Sequence, residues 1–147
     1  GKCWFSKWEN RKNVDGGIKV KEFKVSEFYD MVITILETIM KQVVGENPNG
    51  DSKFPCIVVQ APMRLDEVNG EELPILSRFS ITCEAWTKKK ATSIELADEI
   101  DSKLRGYNFT RTGTPINLYD ENTKCHRYGG NYEVFYNALT NSLEKVK

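Results

Sequence analysis

The spacing of hydrophobic positions changes along this chain, and each change of period marks an element. Phe28, Val32, Ile35, Leu36, Ile39 and Val43 recur at helical spacing, with Ile33, Met40 and Val44 widening the stripe. With Ser26 as a candidate N-cap and Gly45 as a candidate stop, the pattern predicts a helix over 26–44. A stripe this wide suits a helix packed deep in its own domain, with a subunit interface as the alternative use of its second side. Asn47-Pro48-Asn49-Gly50 predicts a turn. Residues 54–61 run without polar interruption before Gln60, as in a central strand buried on both faces, and Pro62 is expected to stop it.

Further on, Phe79, Ile81, Cys83 and Ala85 alternate with Ser80, Thr82, Glu84 and Trp86, the period of two of a strand with one buried face. Ile94, Ala97, Ile100 and Leu104 then return to helical spacing. Thr92 and Glu95 fit a capping box at that helix's start, and Gly106 suits a left-handed residue beyond its end. Phe109, Thr110 and Arg111 suggest a strand broken by Gly113 and Pro115. Asp120-Glu121-Asn122 and Gly129-Gly130-Asn131 read as turns, and Tyr132, Val134, Tyr136 and Ala138 alternate as a last strand. The order helix, strand, strand, helix, strand, strand predicts an α+β fold. Its economical form is a mixed, mainly antiparallel sheet of about four strands with two main helices packed on one face.

Two polar stretches are candidate contact surfaces. The acidic segment 62–76 has Asn69-Gly70 at its middle, a strong hairpin signal, and is expected to present Asp66, Glu67, Glu71 and Glu72. Its acidic spacing lacks the order of a calcium loop. Lys88, Lys89 and Lys90 precede a helix N-terminus, where positive charge opposes the macrodipole, so they are expected to point into solvent.

Composition narrows the function classes. The chain has 147 residues, which suits one domain, and its 21 basic and 21 acidic side chains cancel, so no chain-wide attraction to nucleic acid or acidic lipid is implied. The balance is uneven locally. Residues 1–25 form a separate arm in which seven basic against three acidic side chains leave +4, alongside Trp4, Phe5 and Trp8. An Asp15-Gly16-Gly17 turn signal follows, and Ile18, Val20 and Phe23 suggest a short strand. The arm is expected to be solvated or loosely docked, although its aromatics are a large apolar load to leave in water, and docking on a neighbouring subunit would bury them. Basic residues interleaved with aromatics also suit single-stranded nucleic acid, but no RNA-binding motif accompanies them. The remainder, 26–147, is read as a single domain.

No apolar run approaches the roughly 20 residues that span a bilayer, and no signal-peptide core precedes a small-residue cleavage site. Cys3, Cys56, Cys83 and Cys125 lie far apart and are expected to be free thiols in a reducing cytoplasm. His126 is the one histidine. Cys125-His126 is a poor catalytic pair, because neighbours in a strand point to opposite faces. No CxxC, HExxH, GxSxG, P-loop or dinucleotide-binding glycine pattern is present, so no catalytic, cofactor or metal site is expected.

Two segments carry a resemblance. FPCIVVQAPMRLDE at 54–67 and LSRFSITCEAWTKKKATSIELADEIDSKLRG at 76–106 resemble the small tail-terminator (tail-completion, minor capsid) proteins of tailed bacteriophages and phage-tail-like particles. The likeness covers 26–141: an N-terminal helix, a strand opening on aromatic-Pro, a loop, and a strand ending in a Trp-type aromatic. A Lys/Ser/Ala-rich turn and a helix of the ELADEIDSKL type follow. The arm departs from the family, whose members begin close to their first helix. The resemblance implies a structural protein, not an enzyme, that forms a ring, usually sixfold, on the last ring of the tail tube. Such a ring ends tube polymerisation and offers a surface to the head–tail connector or stopper protein, with DNA free to pass through it and no sequence-specific nucleic-acid binding. On that plan the lysine turn faces the channel or the adjoining tube, and the protein moves from the bacterial cytoplasm into the virion neck, without a membrane partner. The expected contact residues are Trp4, Phe5, Trp8, Asp66, Glu67, Glu71, Glu72, Lys88, Lys89 and Lys90. The rival readings are another neck component, such as a head-completion or stopper protein, and a small cytosolic enzyme or ligand-binding domain.

Overall fold

The structure, a computed structural model, describes residues 13–14, 17–18, 22–70 and 73–146. Strands β1 (Asn13–Val14) and β2 (Gly17–Ile18) pair antiparallel as a ribbon of their own; of the Asp15-Gly16-Gly17 turn signal, Gly17 is in β2 and Asp15 and Gly16 lie outside the described residues. Val20 lies outside the described residues. Phe23 is no strand residue: it is buried just before the first helix, with its ring 4.9 Å from Phe79 and 4.8 Å from Tyr136.

Helix α1 (Val25–Glu37) buries Phe28, Met31, Val32, Ile35 and Leu36, the centre of the predicted stripe. It starts on an extended Lys24, whose N–H bonds Glu27 Oε1 at 3.1 Å, rather than on Ser26. It also ends seven residues before the predicted 44. Thr38 Oγ1 donates to the Ile35 carbonyl at 2.6 Å, taking up an acceptor of the last turn, and Ile39 N–H closes a tight turn on Leu36. The β-branched pair Val43–Val44 then forms β3, parallel to Ile57 and Val58. Gly45 therefore follows a strand and stops no helix.

Strands β4 (Cys56–Asn69) and β5 (Pro74–Thr87) make one long antiparallel hairpin, from Cys56 opposite Trp86 to Asn69 opposite Pro74. As the Asn69-Gly70 signal predicts, the turn lies there, with Gly70 N–H on the Leu73 carbonyl at 2.9 Å. Pro62 does not stop β4. One extra residue enters between the Gln60–Thr82 and Met63–Ser80 pairs, with Ala61 at φ 54°. Pro62 sits inside this bulge, where no ladder N–H is needed.

Helix α2 (Lys90–Arg105) buries Ser93, Leu96, Ala97, Ile100 and Leu104. It begins on an extended Lys89 without a side-chain cap, ahead of the predicted Thr92 box. Gly106 keeps a right-handed φ of −61°; the left-handed residue is Asn108, whose side chain donates to the Leu143 carbonyl at 2.9 Å. Strand β6 (Thr110–Asp120) absorbs Gly113 and Pro115 in a second bulge, with Gly113 at φ +71°. The turn at 121–124 closes on Asp120, whose Oδ2 accepts from Thr123 N–H and Oγ1 at 2.9 and 2.7 Å.

Strand β7 (Cys125–Asn137) runs straight through Gly129-Gly130-Asn131, correcting the turn expected there. A Cβ at Gly129 would lie 2.0 Å from the Cys83 carbonyl, so glycine here lets β7 approach β5 rather than turning the chain. Strand β8 (Ser142–Glu144) pairs with the far end of β7. The sheet order is β3-β4-β5-β7-β6, with β8 also on β7, and only β3–β4 is parallel. The α+β class and antiparallel character agree with the sequence reading; the sheet has six strands rather than about four because β3 and β8 are too short to show a period. Both helices share one core with Phe79, Ile81, Cys83, Ala85, Tyr132, Val134 and Tyr136.

Candidate interaction surface

The β5 residues that alternate with the core, Arg78, Ser80, Thr82, Glu84 and Trp86, define the other face of the sheet. At the root of the hairpin this face is dry. Cys56, Val58, Trp86 and Cys125 form a second small cluster, with Val44 and Phe54 packed on it. Arg127 lies 4.7 Å over the Trp86 ring and bonds both oxygens of Glu84, at 2.8 and 3.2 Å. The Glu84 side chain is 3% exposed, and such a buried carboxylate needs this bidentate partner. Burial, helped by the nearby Cys125, pushes the Cys56 thiol up to about 12.

Lys88 belongs to this layer. It is exposed, as expected, yet its Nζ donates to the Thr123 carbonyl and sits 4.8 Å from the Phe54 ring centre, so it also straps the turn. Lys89 and Lys90 are exposed as expected.

At the tip the arrangement inverts. Met63, Leu65 and Val68 stand opposite Ser80, Arg78 and Leu76, so they share the outward face, and they are 62%, 62% and 48% exposed. Arg64 and Asp66 point to the helix side. Arg64 pairs with Glu22 at 3.0 Å and Asp66 at 3.2 Å and also donates to the Phe23 carbonyl, while Ser77 Oγ donates to Asp66 at 2.9 Å. Glu67 pairs with Arg78 at 2.9 Å, and Arg78 lies 5.4 Å from the Phe135 ring centre. Asp66 and Glu67 are exposed on the hairpin, as expected, and each is also held in an ion pair within the fold. Glu71, Glu72, Trp4, Phe5 and Trp8 lie outside the described residues.

Among the described residues both edges of the six-stranded sheet are open. Beyond Val58, β4 has no strand on its outer side among the described residues. At the opposite edge β6 exposes Leu118 and Tyr119, 53% and 48%, with the Tyr119 ring 5.0 Å from His126. Cys125 is buried in the outer cluster while His126 faces the Thr87 side, as strand alternation requires. Among the described residues no group of three or more His, Cys, Asp or Glu side chains is placed to hold a metal ion, and no helix is long and apolar enough to cross a membrane.

No family model matches the chain, and no curated protein matches it either. The main features of the geometry, the outward Met63, Leu65 and Val68 and the Arg127–Glu84–Trp86 stack, are ones that sequence reasoning missed. The available signal was Met63 and Leu65 alternating with Arg64 and Asp66 inside an otherwise acidic segment.

Proposed function

We propose that this chain is a structural subunit of a phage or phage-tail-like particle, forming a ring that caps the tail tube, ends its polymerisation and provides the surface for head joining. The observation that carries this reading is a six-stranded sheet whose two unlike edges are open among the described residues, each bearing exposed apolar side chains: Met63, Leu65 and Val68 by β4, Leu118 and Tyr119 on β6. Unlike edges on opposite sides of a subunit are what a head-to-tail contact uses, and such contacts close into a ring when the rotation fits. Each contact is expected to bury roughly 1,200–2,000 Å² if it is stable. The resemblance over 26–141 supplies the tube and the connector or stopper as partners; it is also what distinguishes this reading from an assembly protein of another kind.

Electron microscopy of tail assembly with and without this protein tests the proposal. Tubes of uncontrolled length, or tails that fail to join heads, are expected in its absence. Normal capped and joined tails would overturn it. Correct tube lengths with tails that stay headless would instead assign the chain to another neck component, such as a stopper.

A further inference from the structure

The outward stripe of Met63, Leu65 and Val68 sits on the part of β4 that lacks an outer neighbour, and Leu76 and Phe135 continue it as half-buried residues. Three large apolar side chains side by side on a strand call for a cover. We infer that the N-terminal arm of the same chain supplies it, seating Trp4, Phe5 and Trp8 on the hairpin tip.

Three observations choose this occupant. The first is the tether. The chain joins the domain at Glu22 and Phe23, and both are bonded to Arg64 of the tip itself, through the Glu22 carboxylate at 3.0 Å and the Phe23 carbonyl at 3.2 Å. Arg64 and the stripe lie on opposite faces of an edge strand, so the arm has only to pass around that edge. The second is length. Twelve residues precede Asn13 of the β1–β2 ribbon. Extended, they would cover the tip, roughly 20 Å from Met63 to the turn, about twice over. The third is charge. The arm carries seven basic and three acidic side chains over 1–25, while 62–76 carries one basic and four acidic. Asp66 and Glu67 are already paired with Arg64 and Arg78, so the acidic excess left to meet the basic arm is that of Glu71 and Glu72, and aromatics meet an apolar stripe. A short tether then favours the same chain over a second copy, because it holds the arm at millimolar effective concentration.

The inference goes beyond tube capping and does not depend on it.

Spin labelling tests this on the full chain. Cys56, Cys83 and Cys125 are buried, so a nitroxide is directed to Cys3, and methyl signals of Met63, Leu65 and Val68 are read by NMR with the label oxidised and then reduced. The expected result is loss of most of the intensity of those three methyls in the oxidised state, unchanged on dilution. In a Met63→Ser/Leu65→Ser chain the Val68 methyl is expected to recover. Stripe methyls that keep their intensity would overturn the inference. So would loss seen only when spin-labelled, isotopically silent chains are mixed with label-free, isotope-enriched ones, since that places the arm of a second copy on the stripe. None of these outcomes depends on tube length, so this inference and the ring-capping proposal fail separately.

Discussion

The root and the tip of the β4–β5 hairpin belong to one ladder, yet their side chains are sorted in opposite senses. At the root, Cys56 through Val59 are all buried, Ile57 and Val59 against the helices and Cys56 and Val58 under Phe54 and Trp86. At the tip, apolar Met63 and Leu65 face outward and charged Arg64 and Asp66 face the helix side. Chemistry does not separate the two halves, because the odd-numbered positions from Ile57 through Val59, Ala61 and Met63 to Leu65 form one unbroken apolar alternation. The bulge at Ala61–Pro62 does. It leaves the root inside the core and turns the same stripe outward at the tip, so that one strand serves stability at one end and contact at the other.

The contrast is most easily broken at the root. Ile57→Ala removes a fully buried side chain and is expected to cost about 2–5 kcal/mol, read as a lower urea midpoint at unchanged slope. A smaller effect is expected from alkaline pH. The fold raises the Cys56 thiol from 9.0 to about 12, so the unfolded chain gives up its proton first. This contribution is complete below pH 9 and declines as pH rises toward 12. Burial raises Cys83 and Tyr132 as well, and they act in the same direction. Urea midpoints measured from pH 8 upward should therefore fall, and Cys56→Ala should flatten the decline; an identical slope in that variant would contradict a dry root. The smallest stability effect belongs to the tip. Leu65→Ser is expected to change stability by no more than about 0.5 kcal/mol while weakening subunit association, measured by sedimentation. A loss like that of Ile57→Ala would show that the tip belongs to the core after all.

Elements that bury one face within one segment were legible in the sequence. The alternation of Phe79, Ile81, Cys83 and Ala85, the stripe of α2 and the Asn69-Gly70 turn needed no knowledge of distant neighbours. The misread positions all depend on a strand far away in the chain. Pro62, Gly113 and Pro115 look like stops but sit in bulges, and Gly129 looks like a turn but makes room for the Cys83 carbonyl. Val43 and Val44 continue a helical period, yet β4 recruits them as a strand. The candidate surface was legible as a place and not as a set of side chains. Asp66 and Glu67 do lie exposed on a hairpin, but their ion pairs with Arg64 and Arg78 were not legible in the sequence.

That bulge makes the tip's surface a matter of parity. Flattening it with no residue removed would move Met63 and Leu65 into the row of Phe79 and Ser77 and turn Arg64 and Asp66 to the outward face, with no side chain of the tip itself replaced. Removing the one extra residue at 61–62 would instead leave the present faces on a regular strand. An adhesive edge and a charged one are therefore a single register step apart, and the extra residue of the bulge, rather than the composition of β4, decides which of them the subunit offers to a neighbour.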